Sequence, residues 1–267
     1  MEELDRFYQY LRLEKGNSKT TADHYIIIMK ILLKRNFKLE NAESFYLQYL
    51  EGDYSSNYLH NVFYTIKYYC ELNNREFKIK KPKVDMRRRE SLTKIECIKF
   101  LSIINDYRDR TIILLGLTTG LRPGEILNLN MEDIDLEKQT ILVKNTKIHE
   151  DRITFLDDTV KPYLELYLEK RKKYASDNAL FISYKSGERL SLRRAQVLFW
   201  EYSKKSKVHC TMYMMRHTFA SLYIQKGGDI KILKELMGHK NIKTTERYIH
   251  ENPEMIREGY RKYAPRF

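Results

Sequence analysis

Cysteine is scarce. Cys70, Cys97 and Cys210 are the three in the chain, and they are far apart with no CxxC pair. That excludes a disulfide framework and a cysteine-rich zinc site. No HExxH or similar i, i+4 histidine pair occurs among the seven histidines, so no metal site is expected. No apolar run reaches the length of a membrane span, so no membrane partner is expected. The opening "MEELDRFYQY" starts with acids and lacks the apolar segment of a signal peptide. Internal repeats and low-complexity segments are absent too. These absences fit the cytoplasm, a reducing compartment.

Positive charge is abundant. Lys+Arg exceed Asp+Glu by 49 to 36, for a formal net charge of +13. Such an excess favours a polyanionic partner, most simply nucleic acid, although a merely basic surface would give the same count. With 267 residues and 42% hydrophobic content, the chain can build one large domain or two modest ones.

The composition falls into two blocks. Residues 1–76 read as four helices with short loops, and no strand alternation persists there. The first, "DRFYQYLRLEKG", ends at Gly16, a plausible cap. From Lys78 to Arg89 there are seven basic residues, one acid and one proline. Residues 77–90 therefore read as an exposed linker, either a solvated charge run or a strap across phosphates. Residues 91–267 form the second block. Thr93 and Glu96 have capping-box spacing at its first helix. "RTIILLGLTTGLRPGEILNLNMEDID" reads as a buried helix, a glycine break and a second helix. "TILVKNTKIHEDRITFL" changes period and predicts an antiparallel hairpin. Helices resume up to "NPEMIREGYRKYA". The expected fold is mainly α with one small antiparallel sheet.

Several polar residues sit in apolar helical context. Arg122 follows "TTGL", with Glu125 one helical turn on to hold its guanidinium. Lys147 lies on the expected hairpin turn. Arg216 and His217 interrupt "TMYMMRHTFA", His239 follows Gly238, and Tyr248 comes nine residues later. This set suits phosphoryl transfer. Arginine forks bind phosphate oxygens and stabilise a five-coordinate phosphorus. A lysine can protonate an alkoxide leaving group, and a tyrosine can be the nucleophile. Guanidinium groups supply the charge a metal would otherwise bring, so no cofactor is expected.

The spacing resembles that of the tyrosine recombinases, or phage integrase family. "TTGLRPGEILNL" looks like the family's first Arg box, and "KIHEDRITFL" like the hairpin that delivers its lysine. "MMRHTFASLYIQKGGDIKILKELMGHKNIKTTERYIH" looks like its second box. "FYQYLRLEKGNSKTTADHY" is similar to the opening of the family's helical core-binding domain. The resemblance covers essentially the whole chain and implies a minimal two-domain, Xer-like member. Its parts would be a core-DNA-binding domain at 1–76, a linker at 77–90, and a catalytic domain at 91–267 with a helical tail.

From that resemblance follow a two-domain DNA clamp, a homotetramer joining two duplexes at specific sites, and a chemistry free of metal and ATP. Tyr248 would form a 3′-phosphotyrosine, and Arg122 and Arg216 would hold the phosphate oxygens. His239 would hydrogen-bond the phosphate. Lys147, rather than its rival Lys144, would protonate the 5′-oxygen. Glu125 and His217 would be supporting residues. Lys19, Thr20, Lys81, Lys83, Arg87, Arg88 and Arg89 are candidate DNA contacts. Where the family usually has a histidine, three residues before Arg216, this chain has Tyr213. A phenol donates hydrogen bonds but accepts protons poorly. Tyr213 is expected to touch the phosphate or the nucleophile without acting as a simple base. Two other functions stay open: a non-cleaving DNA-binding protein of this fold, and a type IB topoisomerase.

Overall fold

The structure is a computed structural model. It describes residues 2–81, 90–144, 151–239 and 241–250, save the side chains at 243, 247, 249 and 250. Lys83, Arg87, Arg88, Arg89, Lys147 and the expected last helix lie outside the described residues. The chain divides into two compact units, Met1–Arg87 and Arg88–Phe267.

The first unit is helical: α1 (Glu2–Leu13), α2 (Lys19–Lys34), α3 (Ala42–Leu50) and α4 (Ser56–Leu72). Serine side chains start two of these helices by satisfying otherwise orphan amides. Ser18 accepts from the Thr21 amide, and Ser55 from that of Tyr58. Phe7, Leu11, Met29, Leu32, Tyr46 and Ile66 are fully buried between the helices. Each contributes about 1.5–3 kcal/mol of apolar burial. Phe77, read from sequence as linker, packs instead on Tyr46 and Phe63, with ring centroids 6.1 and 5.5 Å away. Aromatic burial outweighs the charge around it there. Lys81 is exposed and rests its ammonium over the Tyr64 ring. Lys19 and Thr20 are exposed at the start of α2.

The second unit opens with α5 (Lys94–Ser102), whose capping box pairs Thr93 with Glu96. Then α6 (Tyr107–Thr119) runs almost wholly buried to Gly120. Gly120 adopts φ +65°, and a Cβ there would lie 2.3 Å from the Phe219 ring. Both facts demand glycine and turn the chain sharply into α7 (Pro123–Asn128).

The sheet has three antiparallel strands in the order β1 (Ile134–Asp135), β2 (Thr140–Val143), β3 (Arg152–Phe155). Sequence periodicity carries the second helix through "MEDID", but the helix stops at Asn128. Leu129 turns extended, and the Asn130 amide donates to the Asp133 carboxylate 2.8 Å away. That local bond starts a short 3-10 turn, Met131–Asp133, which delivers β1. Next come α8 (Lys161–Arg171), α9 (Leu192–Ser206), α10 (Met212–Gln225), α11 (Ile230–Met237) and α12 (Lys243–His250).

Helix α10 packs on α6. Gly116 permits the close approach, because a Cβ there would lie 3.1 Å from Met215 Cβ. Met212, Met214 and Met215 are buried, as their apolar setting suggests. Leu92 donates its amide to Thr218 Oγ1 across 2.8 Å, tying the entry to α5 onto α10. Among the described residues no helix is long and apolar enough to cross a membrane.

Candidate active site

Three arginines surround one carboxylate. Arg122 caps α7, and its Nη1 donates to Glu125 Oε1 at 2.8 Å while its amide donates to Oε2 at 2.7 Å. Arg152, from β3, grips the same carboxylate with Nη2 at 2.7 Å and Nη1 at 3.2 Å. Arg216 Nη1, from α10, lies 3.9 Å from Glu125 Oε2. Three guanidiniums against one carboxylate leave two positive charges, a match for a phosphodiester passing through a dianionic phosphorane.

The same groups also seize the end of α11. Arg216 Nη2 donates to the Met237 carbonyl at 2.7 Å, and Arg122 Nη2 to the Gly238 carbonyl at 3.0 Å. Arg152 Nε donates to the Leu236 carbonyl at 3.1 Å. These carbonyls are the orphan acceptors that a helix C-terminus exposes. Three consecutive carbonyls thus bind three arginines directly before His239. Gly238 has φ +61°, and a Cβ there would sit 2.8 Å from Arg152 Nη1, so the helix end and the arginine fit only around glycine.

Burial sets the charges. Arg216 is 4% exposed and also binds the Gly120 carbonyl at 2.6 Å. Burial, then the nearby Arg122, lowers its pKa to about 10, so it stays charged at neutral pH. Burial pushes the Glu125 carboxyl up, but hydrogen bonds and charge from Arg152 and Arg122 more than reverse this, holding it below the ordinary range.

A stability effect with a definite sign follows. A carboxyl that titrates lower folded than unfolded stabilises the fold above its unfolded pKa, about 4.3. This stabilisation fades as pH falls through the folded value. Glu125→Gln should therefore cost about 3 kcal/mol at neutral pH. The loss of Tm should be roughly 6–12 °C, and the gap to the wild type should narrow in acid. Thermal unfolding across a pH series checks this. A gap constant with pH would show that the carboxylate charge carries none of the effect.

His239 follows the helix end, and its Nδ1 lies 2.8 Å from Thr245 Oγ1 on α12. Thr245 is fully buried, so this pair fixes the turn between α11 and α12. Tyr248, one turn further along α12, is 2% exposed against Ala220, Ile224, Leu233 and Met237. Its hydroxyl lies 2.7 Å from His217 Nδ1.

The structure thus gathers Arg122, Glu125, Arg216, His239, His217 and Tyr248 on α7, α10, α11 and α12. Tyr213 is 52% exposed on the first turn of α10. Lys144, the rival to Lys147, is held by Asp133 at 2.6 Å and Glu132 at 3.6 Å. Sequence reading missed Arg152 and Thr245 as site residues. One signal for Arg152 was present, since the strand "RITF" carries its polar residues at alternate positions. Arg152 and Thr154 turn inward and Ile153 and Phe155 outward, the reverse of a simple hydrophobic face.

A model of the phage integrase family matches residues 90–255. A tyrosine recombinase XerA of Pyrococcus horikoshii is 32% identical over 97% of this chain and 92% of its own length. The chain belongs to the phage integrase family. The recombinase is also 28% identical to a tyrosine recombinase XerD of Staphylococcus epidermidis, over 98% of each chain. A XerA recombinase crystal structure aligns with all of it at a TM-score of 0.61 and 25% identity. The Tn1549 transposon integrase, solved with transposon right end DNA, shares the recombinase's fold at a TM-score of 0.79 and 22% identity, over 98% of this chain and 99% of that one.

Proposed function

We propose that this chain is a site-specific recombinase that cuts and rejoins duplex DNA. Tyr248 attacks the scissile phosphorus, giving a 3′-phosphotyrosine and a free 5′-hydroxyl. Arg122 and Arg216 bind the non-bridging oxygens, and His239 donates to one of them. Lys147 protonates the leaving 5′-oxygen. A 5′-hydroxyl from the partner strand reverses the step, so the bond energy is kept and neither ATP nor metal is needed. The observation that carries this reading is the cluster of three arginines bound to Glu125 and to the carbonyls of residues 236–238. It sets positive charge at the end of α11, directly before His239. Burial of Tyr248 means that DNA binding has to uncover the hydroxyl.

In this reading four protomers join two duplexes at specific sites in the cytoplasm. Relatives support the partner. Solved structures of the same fold include XerH bound to a difH substrate and a λ integrase dimer bound to a core site. Lys19, Thr20 and Lys81, with the basic residues up to Arg89, serve as backbone contacts. The exposure of Tyr213, one helical turn before Arg216, supports its meeting the DNA phosphate.

A two-site plasmid tests the function. Duplexes that bind the chain are first selected from a random-sequence pool, and two copies are cloned into one supercoiled plasmid. Deletion or inversion between the copies is expected. Relaxation of a one-copy plasmid without exchange would mark a topoisomerase instead. Binding with no strand breakage would mark a non-cleaving DNA-binding protein.

A further inference from the structure

We infer that His217 is the proton acceptor for Tyr248, a catalytic residue of the cleavage step. This rests on the recombinase reading above. The nucleophile needs an acceptor, because an ordinary phenol has a pKa of about 10 and is a weak nucleophile while protonated. An acceptor must lie within hydrogen-bond reach of the proton it takes, about 2.6–3.2 Å between heavy atoms. His217 Nδ1 meets that condition at 2.7 Å from the hydroxyl.

Other nearby side chains suit the task less well. Arg216 and Arg122 are donors without an acceptor lone pair. Glu125 is saturated by Arg122 and Arg152. His239 directs its Nδ1 to Thr245. Tyr213 is half-exposed, and a neutral phenol is a poor base.

His217 is also well held. It sits on α10 directly after the buried Arg216, whose two carbonyl contacts anchor that turn of the helix. Arg216 lies close enough to Tyr248 for their charges to interact, so a developing phenolate gains from it. The acceptor is therefore in place on the nucleophile before DNA arrives.

With the His217 proton on Nε2, the step balances. Tyr248 Oη bonds to phosphorus as the P–O5′ bond breaks. The phenol proton passes to Nδ1, and the 5′-oxygen leaves with a proton from the acid assigned to Lys147. In the reverse step the 5′-hydroxyl attacks and gives its proton to the group assigned to Lys147, the P–O bond to Tyr248 breaks, and His217 returns its proton to Tyr248.

The test is single-turnover adduct formation on a nicked duplex taken from the random-pool selection. It is run with wild type, His217→Ala and His217→Gln. A second duplex carries sulfur at the bridging 5′ position, whose thiolate leaves without a proton. Both variants should bind DNA normally and form adduct about 10²–10⁴-fold more slowly. The defect should persist on the sulfur duplex, and added imidazole should speed His217→Ala. Glutamine keeps much of the ring's volume and a hydrogen-bond acceptor, so it covers the case in which the alanine variant fails to fold.

Cleavage by His217→Gln at the wild-type rate overturns the inference. So does a defect that sulfur substitution erases, which would assign His217 to the leaving group. Failure of imidazole to speed a folded His217→Ala also counts against it. If wild type forms no adduct on either duplex, the recombinase reading fails and the inference falls with it. If wild type forms adduct and the variants match it, only the inference fails.

Discussion

Replacing Tyr248 with Phe should abolish the covalent protein–DNA adduct while leaving DNA binding intact. The change removes one oxygen, the proposed nucleophile. Among the described residues, the α12 hydroxyl that meets His217 is that of Tyr248. The cost to the fold should be small. The ring stays packed against Ala220, Ile224, Leu233 and Met237, while the bond to His217 is lost. That bond is worth about 1 kcal/mol, or roughly 2–4 °C in Tm for a unit of this size. Adduct is read on a denaturing gel from a nicked duplex, and binding by gel shift. Residual adduct in Tyr248→Phe at a wild-type rate would move the nucleophile elsewhere.

Arg216 should show the next largest effect, and it should act on rate and stability together. In the proposed reaction its guanidinium supplies positive charge where the pentavalent phosphorus develops negative charge. Loss of one such donor typically costs about 10²–10³-fold in rate. Arg216→Ala should fall at least that far. Arg216→Lys should recover only a fraction, because an ammonium cannot reproduce the planar fork. The alanine variant also strands the Gly120 and Met237 carbonyls, which Arg216 now binds at 2.6 and 2.7 Å. Each buried acceptor left unpaired costs about 1–3 kcal/mol. A lowered Tm alongside slow cleavage is therefore expected for Arg216→Ala. Slow cleavage with an unchanged Tm would mean that the two carbonyl bonds contribute nothing to the fold.

Much of this was legible in the sequence, for local reasons. The Thr93–Glu96 capping box, the glycine break at Gly120 and the spacing of Arg122 to Glu125 are short-range patterns, and each stands in the structure as read. What was hidden is tertiary. Nothing in "RITF" says that its arginine will reach Glu125, because that requires β3 to lie beside α7. Nor does the adjacency of Arg216 and His217 reveal which faces Tyr248, since that depends on how α12 returns to α10. The exposed Tyr213 is instructive in the same way. Sequence spacing set it one turn from Arg216, yet the hydroxyl of Tyr248 meets the residue on Arg216's other side. The early end of α7 at Asn128 turned on one side-chain bond, Asn130 to Asp133, which helical periodicity does not register.

In the proposed reaction Tyr248 becomes joined to the 3′ end of a cut strand. Trapping the adduct on a nicked duplex from the selected pool, digesting it with protease and nuclease, and sequencing the modified peptide by mass spectrometry tests this directly. A nucleotide is expected on the peptide containing Tyr248, linked through a 3′-phosphate, with a free 5′-hydroxyl on the other side of the break. A nucleotide on any other residue, or a linkage through a 5′-phosphate, would contradict it.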